Sequence, residues 1–147
     1  MSAAPSDLAS IFSSAGRHSH PIVAVVAGSG LVARCAHEAG ADLLMVLSAG
    51  FFRSLGTGSL ASLMPYANSN DLTHRLLTEQ ILPLRSHRPV IAGVCPTDPV
   101  NSIEDTLQRF QALGVQGITN WPAAGFIDGT IRAVMEWEGL GVDAEVA

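Results

Sequence analysis

Pro21-Ile-Val-Ala-Val-Val-Ala-Gly-Ser-Gly-Leu-Val-Ala-Arg-Cys-Ala-His-Glu-Ala-Gly40 decides the fold of this chain. Its first seven residues form a β-branched run without polar alternation. That pattern belongs to a strand buried on both faces, as in a parallel sheet. Gly28-Ser29-Gly30 turns the chain, Leu31–Ala39 reads as a helix, and Gly40 supplies its C-terminal stop. The unit is therefore strand, glycine turn, helix.

Working outward, the same unit recurs. Strand two is expected over Asp42–Ser48. A loop follows over Ala49–Gly58, then a short apolar segment, Ser59–Tyr66, and a helix over Asn70–Leu82. Strand three is Pro89–Cys95. Pro96-Thr-Asp-Pro99 is a turn, and a helix covers Ile103–Leu113. Strand four is Gly117–Asn120, and a helix spans Thr130–Glu138. Before all of this, Ser6–Ala15 places Leu8, Ile11, Phe12 and Ala15 on one helical face, with Ser6 as cap; Gly16–His20 is polar. A helix followed by four βα units implies one parallel sheet with right-handed crossovers. His20-Pro-Ile-Val-Ala-Val-Val26 resembles Arg88-Pro-Val-Ile-Ala-Gly-Val94, so the chain reads as two copies of a (βα)2 unit.

Composition narrows the functions. The 147 residues are 48% hydrophobic and 14% charged, with a formal net charge of −5. Such a chain suits one globular domain burying roughly 68–70% of its unfolded surface. No basic patch invites nucleic acid or an anionic membrane. All eight cations are arginine, which excludes a Schiff-base lysine and a P-loop lysine. Cys35 and Cys95 have neither disulfide-framework nor zinc spacing. The N-terminus lacks a signal-peptide pattern and no apolar run reaches membrane-spanning length, so a cytoplasmic location is the expectation.

Ligands in parallel sheets bind at the carboxyl ends of strands. His18, His20 and His87 precede strands, and His37 and His74 fall within helices, so no histidine is expected at that end. Gly28, Ser29 and Gly30, with Ala33, match a phosphate-binding turn. Dinucleotide binding, anion binding and a plain tight turn all remain open there. The acid that a dinucleotide site needs is missing, since Ser48 and Ala49 stand at the relevant place. The loop after strand two offers Ser48, Gly50 and Arg53, whose guanidinium could clamp a carboxylate or phosphate, or stay solvated. Gly56-Thr57-Gly58-Ser59 could form an anion nest. After strand three, Asp98 is a candidate general base or Mg²⁺ ligand, or else a turn-stabilising residue. Cys95 and Thr97 flank it. Asn120 ends strand four and could orient a ligand oxygen; Trp121 and Phe126 could wall a pocket, and Asp128 reads as a helix cap.

The strings AGSGLVARCAHEAGADLLMVLSAG, SLASLMPYANSN, PVIAGVCPTDP and GITNWPAAGFIDGTIR resemble the phosphoenolpyruvate hydrolase-like TIM-barrel family from about His20 onward. That family is also described as an IGPS-like barrel within a phosphoenolpyruvate/pyruvate superfamily, and is similar to the C-terminal domain of tobamovirus-resistance-type proteins. The resemblance implies an α/β fold: a parallel (βα)4 half of a TIM barrel preceded by an N-terminal helix. It implies hydrolase or lyase chemistry on a small phosphoenol or oxo-carboxylate compound, or ligand sensing in the same pocket. The residues so matched are Gly28, Gly30, Ser48, Gly50, Arg53, Cys95, Thr97, Asp98, Asn120, Pro122 and Asp128. Two departures stand out: Phe51 where the family tends to be basic, and Ala67-Asn68 where it tends to have Gly-Asp.

A full barrel needs about 250 residues and eight strands. The chain is therefore expected to be one domain over 1–147, with residues 1–19 as helix and linker, truncated after the fourth βα unit. The half-barrel leaves open edges and an uncovered inner face. Three outcomes are open: two copies pair, a separate chain supplies the second half, or the chain is an inactive half-barrel fragment; self-association is the expectation.

Overall fold

The computed structural model describes residues 7–18 and 21–147. Helix α1 covers Leu8–His18, ending later than expected. Ser6 lies outside the described residues, as do Ser19 and His20. The first helical turn is held by Asp7, whose carboxylate accepts from the Ala9 N–H at 3.3 Å.

Four strands follow: β1 (Ala24–Val26), β2 (Leu43–Val46), β3 (Val90–Val94) and β4 (Gly117–Asn120). They form one parallel sheet in the order β1-β2-β3-β4. The register sets Val25 beside Leu44, Leu44 beside Val90, and Ala92 beside Ile118. Sequential order with same-handed crossovers puts every crossover helix on one face, as in a half barrel.

Helices α2 (Gly30–Glu38), α4 (Ser69–Leu76) and α5 (Ile103–Ala112) supply that layer. Leu44, Val46, Val90, Ala92 and Val94 meet Ala33, Ala36, Leu76, Leu77, Ile81 and Phe110 in a buried core. Alternate strand residues point the other way, into what would be the barrel interior. There Leu8 of α1 lies over Gly117 and Ile91, and Trp121 and Leu47 lie over Gly93.

Three expectations about elements change. The segment Ala49–Gly58 is not a long loop: Ser48–Ser54 forms helix α3. Its small residues read as loop composition, yet Ala49, Gly50 and Phe52 are buried, and burial overrides propensity. The Thr57 hydroxyl donates to the Phe52 carbonyl at 2.8 Å, closing the helix end and using the proposed anion nest as a cap. The helix expected over Asn70–Leu82 breaks after Leu76 into a π turn, Leu77–Ile81, and a 3-10 turn, Leu82–Leu84, ahead of Arg85 at φ 50°. Strand β1 is an edge strand only three residues long and is partly exposed, not buried on both faces.

After β4, α6 (Gly129–Trp137) and α7 (Val142–Val146) complete the chain. Asp128 stands at the N-cap position of α6 but its side chain makes no capping hydrogen bond. Ile131, Val134 and Trp137 of α6 are exposed, and so is Ile118 of β4. No helix among the described residues is long and apolar enough to cross a membrane.

Candidate functional site

A cavity of about 250 Å³ opens where β3 and β4 end. Cys95, Thr97 and Asp98 line it from the β3 loop, Asn68 and Ser69 from the start of α4, and Glu145 from α7. Its walls carry two carboxylates and no cation.

Asp98 is the centre of a network of amide donors. Its Oδ1 accepts from Asn68 Nδ2 at 2.8 Å, Val100 N at 2.9 Å and Asn101 N at 3.4 Å. Its Oδ2 accepts from Asn70 Nδ2 at 2.9 Å and Asn101 Nδ2 at 3.0 Å. Burial alone would raise the Asp98 pKa. The bonds from Asn101, Asn68, Val100 and Asn70 outweigh it and lower the value from 3.8 to about 2. A carboxylate held so low is a weak general base.

The sign of the linkage follows. Asp98 binds protons less readily folded than unfolded, so its contribution is present above pH ~4 and lost as pH falls through ~2. Asp98 is half-buried and solvent still screens it, so the contribution is about 1 kcal/mol or less. We expect the urea midpoint to fall between pH ~4 and ~2 while the Asp98 carboxyl ¹³C shift titrates at its low end. A titration near 4 would show the network to be loose.

Asn70 is the second member of this network and is almost fully buried, 1% exposed. Its Oδ1 accepts from Cys95 N at 2.8 Å and its Nδ2 donates to Cys95 O at 3.0 Å. The side chain thus satisfies both backbone groups of the residue just past β3. Asn68 caps α4, accepting from Asp71 N at 3.0 Å. These Asn roles escaped sequence reading; the visible signal was Asn68-Ser-Asn70 before a helix.

Cys95 is half-buried, with Sγ 3.8 Å from Thr97 Oγ1. Burial pushes its thiol up, only partly offset by Thr97, so it stays protonated at neutral pH. Asn120 donates from Nδ2 to Glu145 Oε2 at 3.0 Å, and its Oδ1 is buried without a partner. Glu145 Oε1 accepts from Ala124 N at 2.7 Å. Trp121 packs edge-to-face with Phe126, centroids 5.0 Å apart, and its Nε1 is buried and unpartnered.

Neither Asn120 nor Trp121 lines the cavity itself, and the remaining candidates lie at the β1–β2 end, away from it. Ser29 caps α2, its Oγ accepting from Val32 N at 3.4 Å. The Gly30 N–H donates to Gln80 Oε1 at 3.1 Å, so one amide of the glycine turn is engaged by the chain itself. Gly28 and Gly50 pack backbone to backbone. Ser48 is fully enclosed, its Oγ without a partner. Arg53 is exposed on α3 and donates from Nη1 to Ser59 Oγ at 2.7 Å. The described histidines lie elsewhere: His37 sits 3.2 Å from Ser86 Oγ, and His74 stacks on Phe110.

The Mg²⁺ that the family resemblance raises meets a poor donor set. Both Asp98 oxygens are filled by N–H groups, leaving little lone-pair capacity for a cation that demands octahedral oxygen ligation. Among the described residues no group of three His, Cys, Asp or Glu could hold a metal ion. The residues present do not fit Mg²⁺ at Asp98.

Comparison with known proteins agrees with the topology. ToMV resistance protein Tm-1(GCR237) of Solanum lycopersicum is 36% identical over 126 residues, covering 86% of this chain and 17% of that protein. A provisionally assigned transcriptional regulatory protein of Sinorhizobium fredii, y4pA, is 35% identical over 139 residues, 95% of this chain and 23% of its own length. The chain thus spans less than a quarter of either relative. The solved structure of 2,3-dimethylmalate lyase, a PEP mutase/isocitrate lyase superfamily member, in its trigonal form, matches with a TM-score of 0.50 at 22% identity. That match covers 77% of this chain and 36% of the lyase chain, and speaks to fold alone. The model of one family fits residues 8–147, so the likeness begins in α1 and not only at His20. With four parallel strands in barrel order and that match over nearly its whole length, the chain belongs to the phosphoenolpyruvate hydrolase-like family.

Proposed function

We propose that the chain supplies the β1–β4 half of a site for a small phosphoenol or oxo-carboxylate compound, worked on by hydrolase or lyase chemistry. The cavity at the ends of β3 and β4 carries this reading. At about 250 Å³ it lies just below the size of drug-sized ligand sites, as suits a small metabolite. Thr97, Asn68 and Ser69 offer polar groups to ligand oxygens, and Asn120 orients them. Cys95 acts as a wall, and Trp121 stands outside the lining. Asp98 serves by holding the mouth in shape.

A phosphoryl or carboxylate group also needs positive charge. Arg53, with Ser29, forms the anion-holding end in this proposal, while Gly28, Gly30, Ser48 and Gly50, enclosed or already bonded within the chain, shape the strand ends beneath it. A second half-barrel, from another copy or a partner chain, completes the mouth and covers Ile118, Ile131, Val134 and Trp137, which are exposed. The low basicity of Asp98 favours a second reading, ligand sensing without turnover.

The test incubates the chain with phosphoenolpyruvate or phosphonopyruvate, with and without added Mg²⁺, and follows phosphate release and melting temperature. Turnover lost in Asn120→Ala supports the enzyme. Thermal stabilisation without turnover supports sensing. Neither effect, or a stable folded monomer at micromolar concentration in sedimentation, rejects the completed half-barrel site.

A further inference from the structure

We propose that Ser86 and His37 are a nucleophile and its base, and that they form a second site, which hydrolyses small esters of short apolar acids. The site is separate from the β3–β4 cavity. It lies between the last turn of α2 and the turn ahead of β3, at the opposite end of that strand from Cys95.

A cavity of about 380 Å³ opens there. Arg34, His37 and Glu38 line it from α2, and Pro83, Leu84 and Ser86 from the turn. Ser86 Oγ stands 3.2 Å from His37 Nδ1, within reach of proton transfer. The same Oγ accepts from the Arg88 N–H at 3.2 Å. In the tautomer protonated at Nε2, Nδ1 accepts the Ser86 hydroxyl hydrogen, while the Arg88 N–H stabilises charge that builds on Oγ.

The backbone holds the pair from both sides. Arg85, just before Ser86, has φ 50° and ψ 37°, the one positive φ outside glycine among the described residues. A side chain in that region costs free energy, and such cost gathers where a neighbouring group must be aimed. His37 sits in the last turn of α2. That end is closed by Ala39 N on the Cys35 carbonyl at 2.9 Å and by Gly40 N on the His37 carbonyl at 3.1 Å.

Arg34 completes the set. Its Nε faces Glu38 Oε1 at 3.5 Å, which leaves its Nη groups to an ester carbonyl oxygen, where negative charge develops. Ala33, Pro83 and Leu84 give apolar walls for a short acyl chain. Oγ attacks the ester carbonyl carbon and its proton passes to Nδ1. The bond from that carbon to the alcohol oxygen breaks, and the alcohol leaves with the proton. Water then attacks the acyl group on Ser86 and gives a proton to Nδ1. Ser86 recovers that proton as the carboxylic acid departs.

The experiment treats the full chain with phenylmethylsulfonyl fluoride, maps the adduct by mass spectrometry, and follows p-nitrophenyl acetate hydrolysis. The adduct should fall on Ser86. Hydrolysis should drop about a hundredfold in Ser86→Ala and in His37→Asn. His37→Asn keeps a hydrogen-bond acceptor for Ser86 but takes no proton, so it separates holding the hydroxyl from activating it. Should His37→Asn fail to fold, His37→Gln replaces it. No adduct on Ser86, hydrolysis retained in Ser86→Ala, or labelling as fast in the folded His37 variant as in wild type overturns the proposal.

Discussion

Gly28→Ala lowers the stability of this domain by about 3 kcal/mol or more, the upper end of what overpacking costs. Space, not backbone angle, is the cause. A Cβ on Gly28 would fall inside the Gly50 carbonyl group and stand 2.7 Å from Ser54 Oγ. Ser54 already donates to the Gly50 carbonyl at 3.1 Å, so the obstacle is a bonded helix backbone and not a side chain able to swing away. Relief requires α3 to move off the end of β1. The reciprocal change, Gly50→Ala, meets Gly28 Cα at 3.0 Å and Val26 Cγ1 at 3.2 Å, so it costs less, about 1–2 kcal/mol. Gly58→Ala is the control: nothing lies within 4 Å, its φ is −74°, and it should be near neutral. Urea unfolding of the three variants orders them. With a typical domain stable by roughly 5–15 kcal/mol, the Gly28 variant loses a large share. A Gly28→Ala midpoint within about 1 kcal/mol of wild type would refute the close approach.

The reason for that glycine was not readable in sequence, although the turn was. Pro21–Ala27, Asp42–Ser48 and Pro89–Cys95 announce strands because β-branched and apolar residues run without polar breaks, and Gly40 and Gly114 mark helix ends through positive φ. Those are local signals. The contact between Gly28 and Gly50 is set 22 residues apart along the chain, and nothing near Gly28 distinguishes a glycine that exposes its amides from one that makes room. The same limit hid α3. Ser48-Ala-Gly-Phe-Phe-Arg-Ser54 is poor in helix formers, and its helix exists because Phe52 and Ala49 are buried against the sheet end.

The site was legible to the same depth. Asp98 and Asn120 could be placed at strand ends because the strands could be placed. Their partners could not. Asn70 was read as the first residue of a helix, and Glu145 was given no role, because each meets its partner across 25 residues or more. A carboxylate after a parallel strand suggests a base; five amide donors arriving from two segments turn it into a brace. Donor count, which sequence does not display, decides between those roles.

Asn70→Asp tests that brace with the smallest change of shape, and it should cost about 3–5 kcal/mol at pH 7. The introduced carboxyl keeps one oxygen for the Cys95 N–H. Its other oxygen replaces an amide donor and faces two acceptors, the Cys95 carbonyl and Asp98 Oδ2. It also sets a second negative charge beside Asp98 in a buried position. The two pH profiles should therefore run in opposite directions. Wild type weakens as pH falls from ~4 toward ~2, because Asp98 is depressed. In the variant, burial and like charge raise the new carboxyl above the usual range near 3.9, so its destabilisation is smallest below pH ~4 and grows as pH rises through that raised value. Asn70→Ala separates charge from hydrogen bonding. It leaves both backbone groups of Cys95 without this partner and Asp98 Oδ2 with the Asn101 amide alone, about 3 kcal/mol, with no new titration. Urea midpoints measured from about pH 2 to about pH 8 on the three proteins give the result. Parallel profiles for wild type and Asn70→Asp would mean that Asn70 packs beside Cys95 and Asp98 without joining them.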